Sequence, residues 1–371
     1  MIKFLDLKRQ RDAFHNSLDE IILKIIDDGQ FISGPQVKAL ENTLSKYVGS
    51  ECITVANGTD ALSIALMSIG TGPGDEVILP SFTWVSTAEV VSQLGARPVF
   101  IDIDDNFVID IKKLESKINS NTKAIIPVSM FGRCPNLQLI KEIANRYKII
   151  TIEDAAQSFG AKSDGAKSCN VLDISTTSFF PSKPLGCYGD GGAIFSKNEE
   201  LLEKLRVIPK HGQSGRYNYI EIGMNSRLDT IQAAILLEKF NIFEDEIFLR
   251  NNIAKLYSSM LSDLLQITTP HVPSENNRSV WAQYTILLDE SIANKRKELM
   301  QYLKDKGIPT ALYYPVPLHS CPIYANYDSS DMTLTNNLAN RVLSLPMHPY
   351  LSIDEVEKIS GCLKDGISKF S

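Results

Sequence analysis

The chain has 371 residues, with 38 basic against 44 acidic side chains, a net charge of −6, and 43% hydrophobic and 22% charged residues. At roughly 150 residues per domain, that length predicts two or three domains around a large core, and the composition excludes disordered, collagen-like and fibrous classes. There is no basic block to bind nucleic acid or an acidic membrane surface, so neither is expected as a partner.

Along the chain, residues 9–28 put Phe14, Leu18, Ile21, Ile22, Ile25 and Ile26 at helical spacing up to Gly29, which predicts one helix. Gly34-Pro35 opens a second, to about Tyr47. From Cys52, strands at 52–56, 76–79, 98–102, 123–128 and 149–153 are expected to alternate with helices near 59–69, 84–94, 110–119 and 136–147. Thr71-Gly72-Pro73-Gly74-Asp75 shows the turn chemistry between them. This alternation predicts a mostly parallel sheet covered on both faces.

After Asp154 the rhythm changes. Strands are expected near 174–179 and 192–196 around a Gly-rich loop, then a long helical stretch over 228–264, bent or interrupted. The tail reads as a strand (282–288), a helix (293–306), a Pro-rich segment and a closing helix (353–367). The expected division is a large α/β domain over 31–240 and a smaller domain formed by 1–30 with 241–371.

The six cysteines form no CxxC pair and the five histidines no HxxxH, so no metal site is expected. Asp6, Lys8, Arg9 and Arg11 interrupt the first twelve residues, unlike a secretory apolar region. No run reaches the ~18–20 apolar residues of a membrane span. A soluble cytoplasmic protein is expected.

Four places carry chemistry. Lys183 lies between a predicted strand and a Gly-rich turn. A lysine amine attacks an aldehyde to form a Schiff base when burial or a cationic neighbour lowers its pKa; most loop lysines are simply exposed. Asp154 follows the apolar run Ile149-Ile150-Thr151-Ile152, which puts it at a strand's carboxyl end, where parallel sheets bind ligands. A carboxylate buried there needs a cationic partner, and a pyridinium nitrogen is one; a helix N-cap is the alternative. Asn57-Gly58-Thr59-Asp60 leads into a predicted helix whose free N–H groups suit a phosphate, with Ser178 able to add a hydroxyl; equally, Thr59 or Asp60 could be only a cap. Trp84 follows a strand end, from which its ring could lie over a planar cofactor or pack. The run from Gly186 to Gly192 is not GxGxxG and does not follow the first strand of a βαβ unit, which argues against a dinucleotide.

Asp154-Ala155-Ala156-Gln157-Ser158, Ser178-Phe179-Phe180-Pro181-Ser182-Lys183 and Asn225-Ser226-Arg227-Leu228-Asp229 together resemble the DegT/DnrJ/StrS family of nucleotide-sugar aminotransferases, which use pyridoxal 5'-phosphate (PLP). The likeness runs from Phe4-Leu5-Asp6-Leu7 to Leu345-Pro346-Met347-His348-Pro349-Tyr350. It implies the type I aminotransferase fold, α/β with a mostly parallel central sheet in the large domain and a smaller α+β domain, and a homodimer with shared active sites. It also implies Lys183 as the covalent attachment point, Asp154 on the pyridine nitrogen, Gln157 near the ring hydroxyl and Trp84 on the ring face. Gly58, Thr59 and Ser178 would hold the phosphate, joined by Asn225 of the other subunit. L-Glutamate would be the amino donor and a nucleotide-linked keto sugar the acceptor.

The acceptor most strongly implied is UDP-2-acetamido-2-deoxy-3-oxo-glucuronate, on a route to bacterial surface polysaccharide. Its contacts would be Gly29, Phe31, Ser33, Ser182, Arg227, Tyr313 and Tyr314, with Arg227 forking onto the uronate carboxylate or forming an interface ion pair. Phe31 stands where that pattern usually has tyrosine, and Tyr313 where it often has histidine. The alternatives are a dTDP- or UDP-linked 3-keto or 4-keto 6-deoxyhexose, or a PLP-dependent sugar dehydratase or lyase. Some relatives of that last kind replace the lysine with histidine.

Overall fold

The computed structural model describes residues 2–14, 17–273, 276–327 and 330–371. Helices α1 (Leu7–Asp12), α2 (Ser17–Asp28) and α3 (Pro35–Val48) lead into strand β1 (Glu51–Val55) and α4 (Gly58–Ser68). β2 (Glu76–Pro80), α5 (Ser86–Gln93), β3 (Arg97–Ile101), α6 (Ile111–Lys117), β4 (Thr122–Ile125), α7 (Leu137–Tyr147) and β5 (Ile150–Asp154) continue the alternation. β6 (Ile174–Ser178) and β7 (Gly192–Ser196) complete a seven-stranded sheet of order β1-β7-β6-β5-β4-β2-β3. β7 runs antiparallel to both β1 and β6, while β3, β2, β4, β5 and β6 pair in parallel.

The rest is α8 (Glu199–Val207), a short hairpin of Gln213–Gly215 with Asn218–Tyr219, α9 (Thr230–Phe240) and α10 (Phe243–Met260). β8 (Ile267–Thr268), β9 (Tyr284–Leu288) and β10 (Val342–Leu345) form a second, antiparallel sheet. Between its strands come α11 (Glu290–Ala293), α12 (Arg296–Asp305) and α13 (Thr333–Ala339), and α14 (Ile353–Phe370) closes the chain. Among the described residues no helix is long and apolar enough to cross a membrane.

Both faces of the large sheet are buried. Val55, Leu79 and Ile174 pack with Ala61, Ala65 and Val90 on one side, and Ile78, Ile101 and Ile125 pack with Ile140 and Ile143 on the other. Phe159, Phe179, Phe195 and Phe243 cluster beneath the β6–β7 connection. Burying each such ring stabilises the fold by about 1.5–3 kcal/mol. The second sheet has its own core, where Tyr257 stacks on Tyr284 with centroids 4.9 Å apart.

One expected helix is divided, and the stretch 228–264 is interrupted as expected. Residues 9–28 form α1 and α2, with Ala13 as the C-cap of α1 and residues 15–16 outside those described. Phe14, just past α1, and Leu18 of α2 meet Ile235 in one cluster, so the apolar spacing runs on although the helix does not. The expected helix 293–306 is α12, preceded by the short α11, which Asp289 caps. The stretch 228–264 is interrupted at Asn241 and Ile242, between α9 and α10. α8, α13 and β10 lie where no element was expected.

Asp102, just past β3, ties this tail to the large sheet. Its carboxylate accepts from the Thr335 N–H at 2.8 Å, the Thr335 hydroxyl at 2.7 Å and the Leu334 N–H at 3.1 Å. It thus caps α13 from outside, with Lys113 Nζ at 3.2 Å as its counter-charge. These bonds hold its pKa below the ordinary value although burial opposes them. Asp102→Ala should cost about 2–4 kcal/mol in chemical denaturation at neutral pH. Because the folded-state pKa is depressed, this contribution is complete above the unfolded-state pKa and fades as pH falls through the folded value. The gap between wild type and variant should therefore close in acid.

Candidate active site

A cavity of about 860 Å³ opens at the carboxyl ends of β5 and β6, between the start of α4 and the Pro-rich tail segment. Asp154 is the last residue of β5 and pairs in register with Thr176 of β6. No regular helix follows it; instead its Oδ1 accepts from the Ala156 N–H at 3.1 Å, and its Oδ2 from the Thr87 hydroxyl of α5 at 2.9 Å. Burial pushes this carboxyl's pKa up, opposed by those two bonds and by the charge of Lys183. Lys183, on the β6–β7 connection, lines the same cavity. Burial pushes its amine down towards the neutral form, and Asp154 opposes this.

The anion-binding end is built at the start of α4. Asn57 is the N-cap, accepting from the Asp60 N–H at 2.8 Å, so neither Thr59 nor Asp60 has that role. The earliest N–H groups of a helix have no intrahelical partner, and Gly58 and Thr59, which open α4, line the cavity. The Thr59 hydroxyl is 2.8 Å from that of Ser86. Only glycine fits at 58, since a Cβ there would lie 2.7 Å from the Ser178 Cβ. This close approach brings Ser178, the last residue of β6, to the same end.

Gln157 accepts from the Phe131 N–H at 2.9 Å and donates to the Tyr314 hydroxyl at 3.1 Å. Trp84 is 59% exposed at the cavity mouth, with its ring 6.1 Å from that of Tyr314, and so is not a core residue. Ser182 and Tyr313 also line the cavity. Tyr313 and Tyr314 come from the tail, which is fastened below them: the Leu318 N–H reaches the Ser81 carbonyl at 2.9 Å, and His319 Nδ1 lies 2.6 Å from the Ser81 hydroxyl.

Four expected contacts lie outside this cavity, as does Asn225. Asn225 and Arg227 line a neighbouring depression of about 530 Å³ that shares Asn57 and Asp190 with it. Ser33 meets Arg227 in another hollow of about 220 Å³. Phe31 stands half exposed, its carbonyl accepting the Thr230 N–H at 2.9 Å, and Gly29 follows the end of α2.

Thr87 was not anticipated from sequence. It precedes Asp154 by 67 positions and meets it only because the first turn of α5 reaches the carboxyl end of β5. Gln283 was also missed; it lines the cavity with its buried side-chain oxygen unpaired.

A helix start open to a phosphate, a half-buried lysine and a buried carboxylate in one cleft of a mostly parallel sheet fit an enzyme of the PLP-dependent transferase fold. The model of the DegT/DnrJ/EryC1/StrS aminotransferase family matches residues 14–364, and the chain belongs to that family. It is 49% identical over 365 residues to the UDP-2-acetamido-2-deoxy-3-oxo-D-glucuronate aminotransferase of Pseudomonas aeruginosa, covering 98% of this chain and 99% of that one. A family member from Brucella abortus has a crystal structure that superposes with a TM-score of 0.93 at 42% identity, covering 98% and 99% of the two chains. NtdA of Bacillus subtilis, solved with bound cofactor PMP, superposes at 0.89 with 33% identity, covering 96% of this chain and 82% of NtdA.

Thr87→Val keeps the shape at α5 and removes one hydrogen bond to a buried carboxylate. It should cost about 1–3 kcal/mol in denaturant titrations of the cofactor-free protein at neutral pH.

Proposed function

We propose that this chain is a PLP-dependent aminotransferase that moves an amino group from L-glutamate to C3 of a UDP-linked 3-oxo sugar, with UDP-2-acetamido-2-deoxy-3-oxo-glucuronate as the foremost acceptor. The observation that carries the reading is the sharing of one cavity by Lys183 and Asp154, each pushed by burial towards its neutral form and each opposed by the other's charge. The substrate is taken from the likeness to the Pseudomonas enzyme.

The residues present fit the cofactor. Gly58, Thr59 and Ser178 offer N–H and hydroxyl donors to its phosphate, Asp154 an acceptor for its ring N–H, and Trp84 a face for its ring. When bound, PLP supplies a carrier for the amino group and a sink for the electrons released at the reacting carbon. Asp154 would accept the N–H of the ring nitrogen, its two hydrogen bonds and the cationic ring opposing the upward push of burial on its carboxyl. Lys183 would hold the cofactor and, as a neutral amine, would be the base that takes and returns the proton of the amino-bearing carbon. A buried amine suits this role because its pKa falls towards the working pH. Gln157 is fixed between the Phe131 N–H and Tyr314 at the cavity wall, where it would meet the ring edge. The same steps in reverse aminate the sugar, giving ping-pong kinetics.

The same reading makes the enzyme a cytoplasmic homodimer in surface-polysaccharide synthesis, divided into a domain of 31–240 and one of 1–30 with 241–371. Asn225 would reach the cofactor phosphate of the other subunit, and Arg227 the uronate carboxylate, with Gly29, Phe31 and Ser33 nearby and Ser182, Tyr313 and Tyr314 completing the sugar pocket. Tyr217 (73% exposed) and Ile222 (85% exposed) on the hairpin segment beside Asn225 support an arm that packs on a second copy.

L-Glutamate should convert the visible band of the holoenzyme to that of the amine form, and Lys183→Ala should lower the rate of this conversion by at least ~10²–10⁴-fold. With 2-oxoglutarate, mass spectrometry should show the UDP-3-amino uronate consumed faster than a dTDP-4-amino-6-deoxyhexose. The opposite preference would refute the acceptor, and release of a dehydrated sugar would favour the lyase.

A further inference from the structure

α9 carries Lys239, only 2% exposed although it ends in an ammonium. A buried cation needs partners, and this one has them in the turn that presents Lys183. Lys239 Nζ donates to the Gly186 carbonyl and lies 4.9 Å from the centroid of the Tyr188 ring. Two turns earlier on the same face of α9, Gln232 accepts from the Tyr188 N–H at 2.8 Å and donates to the Tyr188 carbonyl at 3.3 Å. One helix face therefore clips this turn twice.

The turn has little slack. The Lys183 N–H reaches the Phe180 carbonyl at 2.9 Å, and the Cys187 N–H reaches that of Phe179 at 2.7 Å. A Cβ at Gly186 would lie 2.7 Å from the Phe180 carbonyl oxygen and 2.8 Å from that of Pro181. A shift at the Gly186 carbonyl must therefore be passed on to residues 180–183.

Behind Lys239 stands a counter-charge. Glu246, 4% exposed in the first turn of α10, is held by Gln10 Nε2 at 2.8 Å and the Tyr350 hydroxyl at 2.6 Å. Burial lowers the Lys239 pKa to about 8, with Glu246 opposing and the Arg250 charge adding to the drop. A methionine would fill the same space without the cost of burying charge, so packing alone gives no reason for a lysine.

We propose that Lys239 is a positioning residue of the transamination: its ammonium tethers the Gly186 carbonyl and so holds the turn that aims Lys183 into the cavity. A charge-assisted bond is roughly twice as strong as a neutral one, and a misplacement of about 1 Å at a reacting group can cost ~10²-fold in rate. The inference rests on the role of Lys183 proposed above.

The test is Lys239→Met, which keeps the length of the side chain and removes its charge. In the holoenzyme, the glutamate half-reaction should slow by ~10–100-fold while the KM for glutamate changes less than about threefold. In the cofactor-free protein, amide hydrogen exchange across 180–191 should accelerate, with exchange in the β8–β10 sheet unchanged. A wild-type rate together with wild-type exchange in the turn would overturn the proposal, as would a lower melting temperature with the rate unaltered. If Lys239→Met fails to fold, Glu246→Gln carries the test through the missing counter-charge: the same two readouts should move in the same direction by about threefold or more, and no movement refutes the tether. Failure of the functional reading would show separately, as a wild-type protein with no visible band or no half-reaction.

Discussion

The amine of half-buried Lys183 and the buried carboxylate of Asp154 face one cavity, and burial pushes each towards the uncharged form while the other's charge opposes it. Either group alone would be a liability in that position, because an unpaired charge away from water costs several kcal/mol. Together they suit a planar cation, which would give the carboxylate a partner. The parallel pairing of β5 with β6 sets this up, because it brings Asp154 to the same sheet end as Ser178 and the connection bearing Lys183. Thr87 and the Ala156 N–H then fix the carboxylate, so its direction is set before any ligand arrives.

The remainder of the molecule serves that end of the sheet. The tail forms its own antiparallel sheet and core, yet it sends Tyr313 and Tyr314 over the cavity and is fastened at Ser81 and Asp102. Asp102 caps a helix more than 200 residues away in sequence, a long-range substitute for the local caps at Asn57 and Ser352. The aromatic cluster of Phe159, Phe179, Phe195 and Phe243 gives the β6–β7 connection a rigid floor, on which α9 and its two clips act.

What could be read from the sequence follows the range of the interactions involved. Alternation of apolar strands with helices, and the place of Asp154 after Ile149–Ile152, are local patterns, and the central sheet follows them to within a few residues. The start of α4 was legible for the same reason, although the capping residue is Asn57 rather than either neighbour. Thr87, Gln283 and the partners of Gln157 act through packing between distant segments, which no periodicity reports. The break between α1 and α2 was hidden because Phe14 and Leu18 bury against Ile235 on another helix, which preserves the apolar rhythm across the interruption. β10 is short and fully buried, and such a run of four residues resembles any other core segment until its partner β9 is known.

The covalent link at position 183 decides the account. Reduction of the holoenzyme with borohydride, followed by peptide mapping by mass spectrometry, should place the whole of the cofactor's added mass on Lys183, and Asp154→Ala should weaken cofactor retention without moving the label. A label on another lysine, or none in a protein that still turns over, would contradict it.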